Sequence, residues 1–558
     1  MSWLGHATRI ARVDLLRMVR THADWKRGIG GAFSLLVSVV VILGLTVGGG
    51  YAAFRLSGLL ADPDGDLGRL ARDAGIDVVG GILALFALIV AVIFLVRALG
   101  ARGTLDQPAG TLTVVPTREA FLGTLLAEFV YFQLWVLGPS IGVGVGLALG
   151  LDVGWPAVAI PLATSGLGVV GVSVGYPVGI GVRHLFSRFP FVARNKGAIL
   201  VAVFAGYFLL VMTGTLNQVV VGLFEPMQAS PLAWFAHVAL LGIPLFPTDP
   251  LLAAGAIAVS IAVFLVAVPG GTRVADRHWF SDPALAGEET PAVRTETPGR
   301  GVERYLSPVV GPKTAALVTL AWRRASRSPL KLLYAMYPLF FLAGAFADIV
   351  QTGAVPSYLP YLMVLVVAWG AGVVFTLNPL GDQGAGLSTT LLSRVDGRTF
   401  VHAHLLASLA IAVPLGIVVT AVTGLLSPVP RPTVAILVAA TPVVMLVSAV
   451  LSIGIGMAFP KFEATNVTRS MRTVLPSMMG FLLFSLHLFL TALLAGIVAE
   501  PLVQELAAAV LSFVLPFGLT VSTQGLYWIA AVVLVPLALA PLPAYRYATK
   551  RFDRYTIA

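Results

Sequence analysis

The sequence has no cysteine and few charged residues. Of its 558 residues, 0 are Cys and only 11% are charged, against about 25% in an average soluble protein. Without cysteine, a disulfide framework, a thiolate metal site and a cysteine nucleophile are excluded, and the redox compartment stays open. With 58% hydrophobic residues and a mean hydropathy of +0.92, a water-soluble core is excluded as well. An all-α, polytopic membrane protein is predicted, because membrane helices satisfy their own backbone hydrogen bonds.

Motifs for catalysis are missing too. No Gly-Lys dipeptide occurs, so the phosphate-binding loop Gly-x-x-x-x-Gly-Lys-Ser/Thr cannot form. Gly171, Ser173 and Gly175 match the Gly-x-Ser-x-Gly pattern of hydrolases, but they lie inside an apolar run and not at a strand-turn-helix. The eight histidines form no His-Glu-x-x-His pattern. We therefore expect no catalytic residues, no metal site and no cofactor bound by this chain.

Twelve apolar runs are present, and each is about 18 residues or longer, which is enough to cross a bilayer. Two shorter pieces bounded by proline, 231–247 and 501–519, precede the last run of each half, and we expect re-entrant or interfacial segments there, with spanning left open. The predicted spans are 29–54, 78–99, 121–149, 157–182, 198–223 and 251–268, then 332–349, 358–377, 401–425, 434–459, 474–498 and 526–545.

The two halves repeat each other in sequence. Asp106-Gln107 returns as Asp382-Gln383, and Leu125-Leu126-Ala127 returns as Leu405-Leu406-Ala407, which predicts two copies of one unit. A second repeated set follows the fourth span of each half and indicates either close helix packing with a proline stop or a shared docking role. Its members are Gly179, Gly181, Pro190 and Asn195, matched with Gly454, Gly456, Pro460 and Asn466.

The twelve spans and the distribution of Lys and Arg between them predict the domain layout and the orientation of the chain in the membrane. Alternating the sides of the twelve spans puts 32 of the 36 Lys and Arg residues on one side, so both termini are predicted to be cytoplasmic and the two repeats parallel. Arg323, Arg324 and Arg327 recur where a basic amphipathic helix enters the second half. The predicted domains are 1–28 (entry helix), 29–275 (first six-span repeat), 276–313 (flexible linker), 314–331 (second entry helix), 332–547 (second repeat) and 548–558 (tail).

A six-span unit with a basic entry helix, the loop motifs REAFLGTLLAE and RTFVHAHLLAS, and a short piece before the last span resembles the permease of type-2 ATP-binding-cassette exporters. The resemblance implies a plasma-membrane protein whose two halves form the translocation path. ATP would be bound and hydrolysed by two copies of a separate ATPase subunit, and no nucleic acid would be involved. The implied coupling surface is loop 102–119, loop 381–399 and the entry helices, with Asp106, Gln107, Arg118, Glu119, Arg323, Arg324, Arg327, Asp382, Gln383, Arg394 and Arg398.

Two other functions fit part of the pattern. Twelve spans in two parallel halves also describe an ion-coupled secondary transporter of the major facilitator type, although no Gly-x-x-x-Asp-Arg/Lys run follows the second span. A polytopic membrane enzyme would need a catalytic set that the sequence lacks. Polar residues inside spans often mark a transport path, and the candidates are Glu128, Gln133, Asn217 and His487. The substrate is not indicated.

Overall fold

The computed structural model describes residues 3–23, 29–61, 66–105, 108–189, 191–192, 196–281, 302–327, 337–462, 465–468, 471–474, 476–515 and 519–556. These residues are almost entirely helical, with one small antiparallel hairpin of strands β1 (Thr465–Thr468) and β2 (Met471–Thr473). The prediction of a helical, polytopic membrane protein is confirmed. The chain divides into a first unit, 1–199 with 217–290, and a second unit, 200–216 with 291–558.

The first half of the chain contains ten described α-helices. Four of them have more than 30 residues, and one of these is kinked at Gly75. They are α1 (Trp3–Ala23), α2 (Ile29–Ala61), α3 (Asp66–Leu99), α4 (Pro108–Val114), α5 (Thr117–Leu151), α6 (Pro156–Arg188), α7 (Lys196–Met212), α8 (Thr215–Gln228), α9 (Phe235–Ala239) and α10 (Pro250–Trp279).

The second half contains eleven described α-helices, and short 3-10 turns at Tyr337–Leu342 and Gly381–Gly386 precede two of them. They are α11 (Val302–Val310), α12 (Pro312–Arg327), α13 (Ala343–Thr352), α14 (Leu359–Val373), α15 (Leu387–Leu392), α16 (Gly397–Leu426), α17 (Arg431–Ala458), α18 (Met478–Ala499), α19 (Pro501–Val514), α20 (Thr523–Leu539) and α21 (Pro541–Asp553).

Fewer helices than predicted have the length to cross a membrane. Among the described residues, nine helices are long and apolar enough, or ten if the bent pair α7 and α8 counts as one span. The predicted spans 332–349 and 358–377 contain only short helices, since α13 has 10 residues and α14 has 15. Fifteen residues extend about 22 Å at 1.5 Å per residue, short of the ~30 Å hydrocarbon core. Residues 332–336 of the first of these spans lie outside the described part.

The fifth predicted span, 198–223, is broken. Helix α7 ends at Met212, Gly214 has φ +70°, and α8 continues after a bend of 76°. A left-handed backbone is accessible to glycine at little cost, so Gly214 permits this break. The short piece 231–247 contains only the five-residue helix α9 between turns, and 501–519 contains the 14-residue helix α19. Neither piece contains a helix of membrane-spanning length.

The two described ends of the predicted linker 276–313 are helical. Helix α10 continues to Trp279, α11 runs from Val302 to Val310, and residues 282–301 lie outside the described part. Val302, Leu306 and Val309 recur at spacings of three and four, which gives α11 one apolar face. Leu306 packs against the core of the second unit, whereas Val302 and Val309 are exposed. The contact at Leu306 and the contacts with α12 therefore hold a helix at a position where the composition predicts a flexible chain.

Stripes of small residues let the spanning helices approach closely. In the first unit, a Cβ atom on Gly175 would lie 2.0 Å from the Ala91 carbonyl oxygen of α3, and one on Gly179 would lie 2.5 Å from that of Leu95. In the second unit, the Ser448 hydroxyl donates to the Ala368 carbonyl of α14 at 2.7 Å. The same four-residue stripe continues through Ser452, which donates to the Gly372 carbonyl, to Gly456.

The glycines that correspond in packing between the two halves are not the same ones that correspond in the sequence repeat. Gly179 and Gly456 both face a second-span carbonyl, and a Cβ on Gly456 would lie 2.5 Å from Leu377 O. Gly454, the sequence match of Gly179, packs on Ala544 of α21 instead. A shift of two residues rotates a position by about 200° around a helix. The repeated glycine pattern therefore identifies the right helices, whereas the four-residue packing stripe determines which glycines correspond.

Candidate functional site

The first entry helix, α1, packs along the start of α5. Ala7 is fully buried, and a Cβ on Gly123 would come within 2.9 Å of the Ala7 carbonyl oxygen, so only glycine allows this approach. His6 Nδ1 lies 2.9 Å from a carboxylate oxygen of Glu119. The Arg118 guanidinium lies 4.5 Å from the ring centre of Trp3. Two predicted coupling residues, Arg118 and Glu119, thus bind the entry helix.

A buried network of charges connects α1, α3, α5 and loop 102–119. Glu128 on α5 is 1% exposed and accepts from Arg97 Nε at 2.8 Å and from Arg102 Nε at 2.7 Å. Arg102 also donates to both carboxylate oxygens of Asp14 on α1, at 3.3 and 2.7 Å. Two cations and two anions balance, which is the condition for burying charge without a large penalty. The predicted path residue Glu128 therefore holds the entry helix to the rest of the unit.

The surroundings of Arg102 stabilise its charged form. Burial alone would lower the pKa of Arg102, but the carboxylates of Glu128 and Asp14 outweigh burial and raise that pKa. The backbone around Arg102 is also fixed, because the Tyr176 hydroxyl donates to its carbonyl at 2.9 Å. Trp279 Nε1 donates to the carbonyl of Gly103 at 3.1 Å. Helices α6 and α10 thus fix the start of loop 102–119.

The second entry helix, α12, packs on α16 in the same way. Trp322 Nε1 donates to the Ala407 carbonyl of α16 at 2.8 Å. An Arg324 guanidinium nitrogen donates to the side-chain oxygen of Gln383 at 2.6 Å. Burial lowers the pKa of Arg324, and the nearby Asp382 carboxylate partly offsets this. Arg324 and Gln383, both predicted coupling residues, therefore join the entry helix to loop 381–399.

Gln383 lies at the centre of a largely uncharged network. It is 4% exposed, and its side-chain oxygen also accepts from the Thr390 hydroxyl at 3.3 Å. Its side-chain nitrogen lies 3.4 Å from Nε2 of His404, which is itself buried on α16. Because Gln383 is enclosed, it positions loop 381–399 and does not offer a surface to a partner.

Further contacts fix loop 381–399 and its ends. Lys313 Nζ donates to the Arg394 carbonyl at 3.2 Å, and the Gly397 backbone N–H donates to Asp553 of α21 at 2.6 Å. The Asn378 side chain donates to the Lys461 carbonyl at 2.9 Å and accepts from the Lys461 N–H at 3.0 Å. The second loop is therefore fixed to three other segments of its unit.

Each loop carries a short helix that ends in an exposed apolar residue. Helix α4 ends at Val114, which is 81% exposed, and α15 ends at Leu392, which is 82% exposed. Arg118 follows the first of these and Arg394 and Arg398 follow the second, and all three are exposed. An apolar tip among basic side chains on a well-anchored loop has the character of a protein-binding surface. The sequence offers one signal for this pair, two adjacent apolar residues after threonine, Val114-Val115 and Leu391-Leu392.

The other predicted path residues are divided between the two units. Gln133 Nε2 donates to the Ser165 hydroxyl at 2.8 Å within the first unit. Asn217 is exposed on α8, and His487 is partly buried on α18 in the second unit. The structure describes neither Asp106, Gln107, Pro190 and Asn195 nor the side chains of Arg327 and Asn466. Pro460 follows the end of α17, as a proline stop predicts.

No known protein family, curated protein or solved structure matches this chain. Its function has to be argued from the two anchored loops, the entry helices and the membrane-spanning helices around them.

Proposed function

We propose that this chain is the membrane-spanning permease of an ABC-type exporter and works with a separate ATPase subunit. The observation that carries the proposal is a short loop helix with an exposed apolar end, present once in each unit on a loop that is bonded to an entry helix. Each entry helix packs against the third-span helix, α5 or α16. A transporter driven by another polypeptide needs a docking surface and a rigid connection from it to the membrane helices. Loops 102–119 and 381–399 have both properties.

The packing of the two units supports a pair of parallel repeats. The entry helix contacts the third-span helix in both, α1 on α5 and α12 on α16. The second-span helix contacts the fourth, α3 on α6 and α14 on α17, and the last helix contacts the third and fourth, α10 in the first unit and α21 in the second. On this proposal α13 and α14 are the first two spans of the second repeat, which completes twelve.

The contacts suggest how force would reach the membrane. Entry helix, loop and third-span helix are joined by buried ion pairs in the first unit and by hydrogen bonds to Gln383 in the second, so each set moves as one body. ATP binding would bring two ATPase subunits together, and each would displace one loop. A displacement of the loop would then tilt the third-span helix and shift the pathway between inward-open and outward-open states.

The docking surface is tested by charge substitution at the two tips. Val114→Glu and Leu392→Glu place a carboxylate where an apolar contact is proposed, and desolvating that charge opposes binding. The matched control is Leu251→Glu, since Leu251 is 78% exposed at the start of α10, on the opposite side of the membrane. The assay is co-purification of a protein with a phosphate-binding loop together with the tagged chain from its native cells.

We expect the amount of ATPase that co-purifies to fall at least tenfold with each tip variant and to stay unchanged with Leu251→Glu. Retention of the ATPase by both tip variants would contradict the proposed docking surface. Substrate movement driven by a proton gradient in proteoliposomes that contain this chain alone would contradict the exporter function and support the secondary transporter.

A further inference from the structure

The first unit contains a cavity of about 420 Å³ among helices α5, α6, α9 and α10. It lies near the midpoints of α6 and α10, where it is lined by Val169 and Phe264. Protein interiors are packed as densely as organic crystals, and voids larger than a water molecule are few. A cavity of this size therefore calls for an occupant.

The wall of the cavity is apolar. Serines 165, 173 and 260 are its only lining residues with polar side chains. The Ser165 hydroxyl already accepts from Gln133 at 2.8 Å, and the Ser260 hydroxyl lies 3.3 Å from the Gly166 carbonyl oxygen, to which it donates. Apolar cavities stay dry and take up hydrocarbons, and about 150 Å³ is enough to bind benzene. The present cavity is nearly three times as large, so a hydrocarbon is a better occupant than water.

The cavity reaches the apolar side surface of the unit. Leu162, Ile257 and Ile261 line it and are 46%, 42% and 56% exposed, whereas Phe235 at its inner wall is 1% exposed. All three exposed residues lie on predicted spans, where the surrounding medium is lipid hydrocarbon. An occupant therefore enters from the bilayer and needs no aqueous route.

We propose that this cavity is a binding site for one hydrocarbon chain of a membrane phospholipid. The chain passes between Leu162 and Ile261 and lies along Val169 and Phe264, while the phospholipid headgroup stays at the membrane surface. The site uses no residue of the two loops or the entry helices. It goes beyond the proposed function and does not depend on it.

The test uses the full chain in phosphatidylcholine nanodiscs that contain a phosphatidylcholine with a photoreactive diazirine on its acyl chain. After photolysis, peptides are mapped by mass spectrometry. We expect adducts on residues that line the cavity, including Phe129, Val169 and Phe264. Val169→Phe fills the cavity and is expected to reduce the adducts on Phe129 and Phe264 at least fivefold.

Val158→Phe is the matched control, because Val158 is 55% exposed on the same helix and is not among the cavity-lining residues. It should leave the cavity adducts unchanged. Ser173→Leu, which fills the cavity from another side, is the second variant if Val169→Phe elutes as an aggregate in gel filtration. Undiminished adducts on Phe129 and Phe264 in a well-folded filled variant, or adducts confined to outward-facing residues in the native chain, would overturn the proposal.

Discussion

Glu128 and Ser408 occupy the same place in the two sequence repeats, directly after Leu-Leu-Ala, and both are buried. Glu128 binds Arg97 and Arg102, whereas the Ser408 hydroxyl donates to the Ala371 carbonyl at 2.5 Å. One position thus carries an ion-pair network in one unit and a single neutral hydrogen bond in the other. The effect of losing the side chain should differ accordingly.

Glu128→Ala leaves two partly buried guanidinium groups without their shared carboxylate. Removing one member of a buried ion pair costs about 3 kcal/mol or more, and the partial exposure of both arginines favours the lower end. Ser408→Ala removes one hydrogen bond and should cost about 1 kcal/mol. Denaturant unfolding in detergent compares the two free energies of unfolding. Equal losses would contradict the structural role assigned to the charges.

The contacts of individual polar residues were only partly predictable from the sequence. Polarity and an apolar context identified Glu128 as unusual, but its cationic partners come from the end of α3 and from loop 102–119, about 30 residues away. Gln383 was predicted to be part of an exposed coupling surface, and the structure buries it because Arg324 and Thr390 both donate to its side-chain oxygen. Pairings of this kind depend on how helices pack, which local pattern does not encode.

At the scale of the helices, α2 and α5 are held together by small residues. A Cβ on Gly142 of α5 would lie 2.0 Å from the Thr46 carbonyl oxygen of α2, whereas a Cβ on Gly48 would meet nothing within 4 Å. Close approach of this pair therefore needs glycine at 142 and not at 48. Small residues at helix interfaces serve the same purpose in other membrane proteins.

Gly142→Ala should therefore push α2 and α5 apart and destabilise the unit by about 1–3 kcal/mol, the usual cost of overpacking. Gly48→Ala is the matched control, and it should be neutral or slightly stabilising because alanine favours a helix. The measurement is the midpoint of thermal unfolding of each purified variant. A stability of Gly142→Ala equal to that of Gly48→Ala would show that the two helices do not meet as described.

Helix positions were the most predictable feature, because a membrane span needs a long apolar run and twelve such runs are plain in the sequence. Lengths were less predictable. Apolar composition does not reveal the break at Gly214, which depends on a left-handed backbone at one residue. The short loop helices α4 and α15 were not predicted, since six or seven residues carry too little periodicity to indicate a helix.

Across the whole molecule, the two units share the contacts of the entry helix, the second-span helix and the last helix, but they fix their loops by different chemistry. Both arrangements leave an apolar tip exposed, at Val114 and at Leu392. The shared feature is thus the tip and its anchorage, whereas the anchoring residues differ. This is the reason to assign one tip to each of two ATPase subunits.

Site-specific cross-linking tests that assignment most directly. Because the chain has no native cysteine, a maleimide reacts only with the cysteine that is introduced into it. Single cysteines at Val114, Leu392 and, as the control, Leu251 are labelled with a benzophenone maleimide on the purified chain. Unreacted reagent is then removed, the ATPase is added, and the complex is irradiated. The account predicts cross-links to the ATPase from positions 114 and 392 and none from 251. No cross-link from either tip, or an equal yield from position 251, would contradict it.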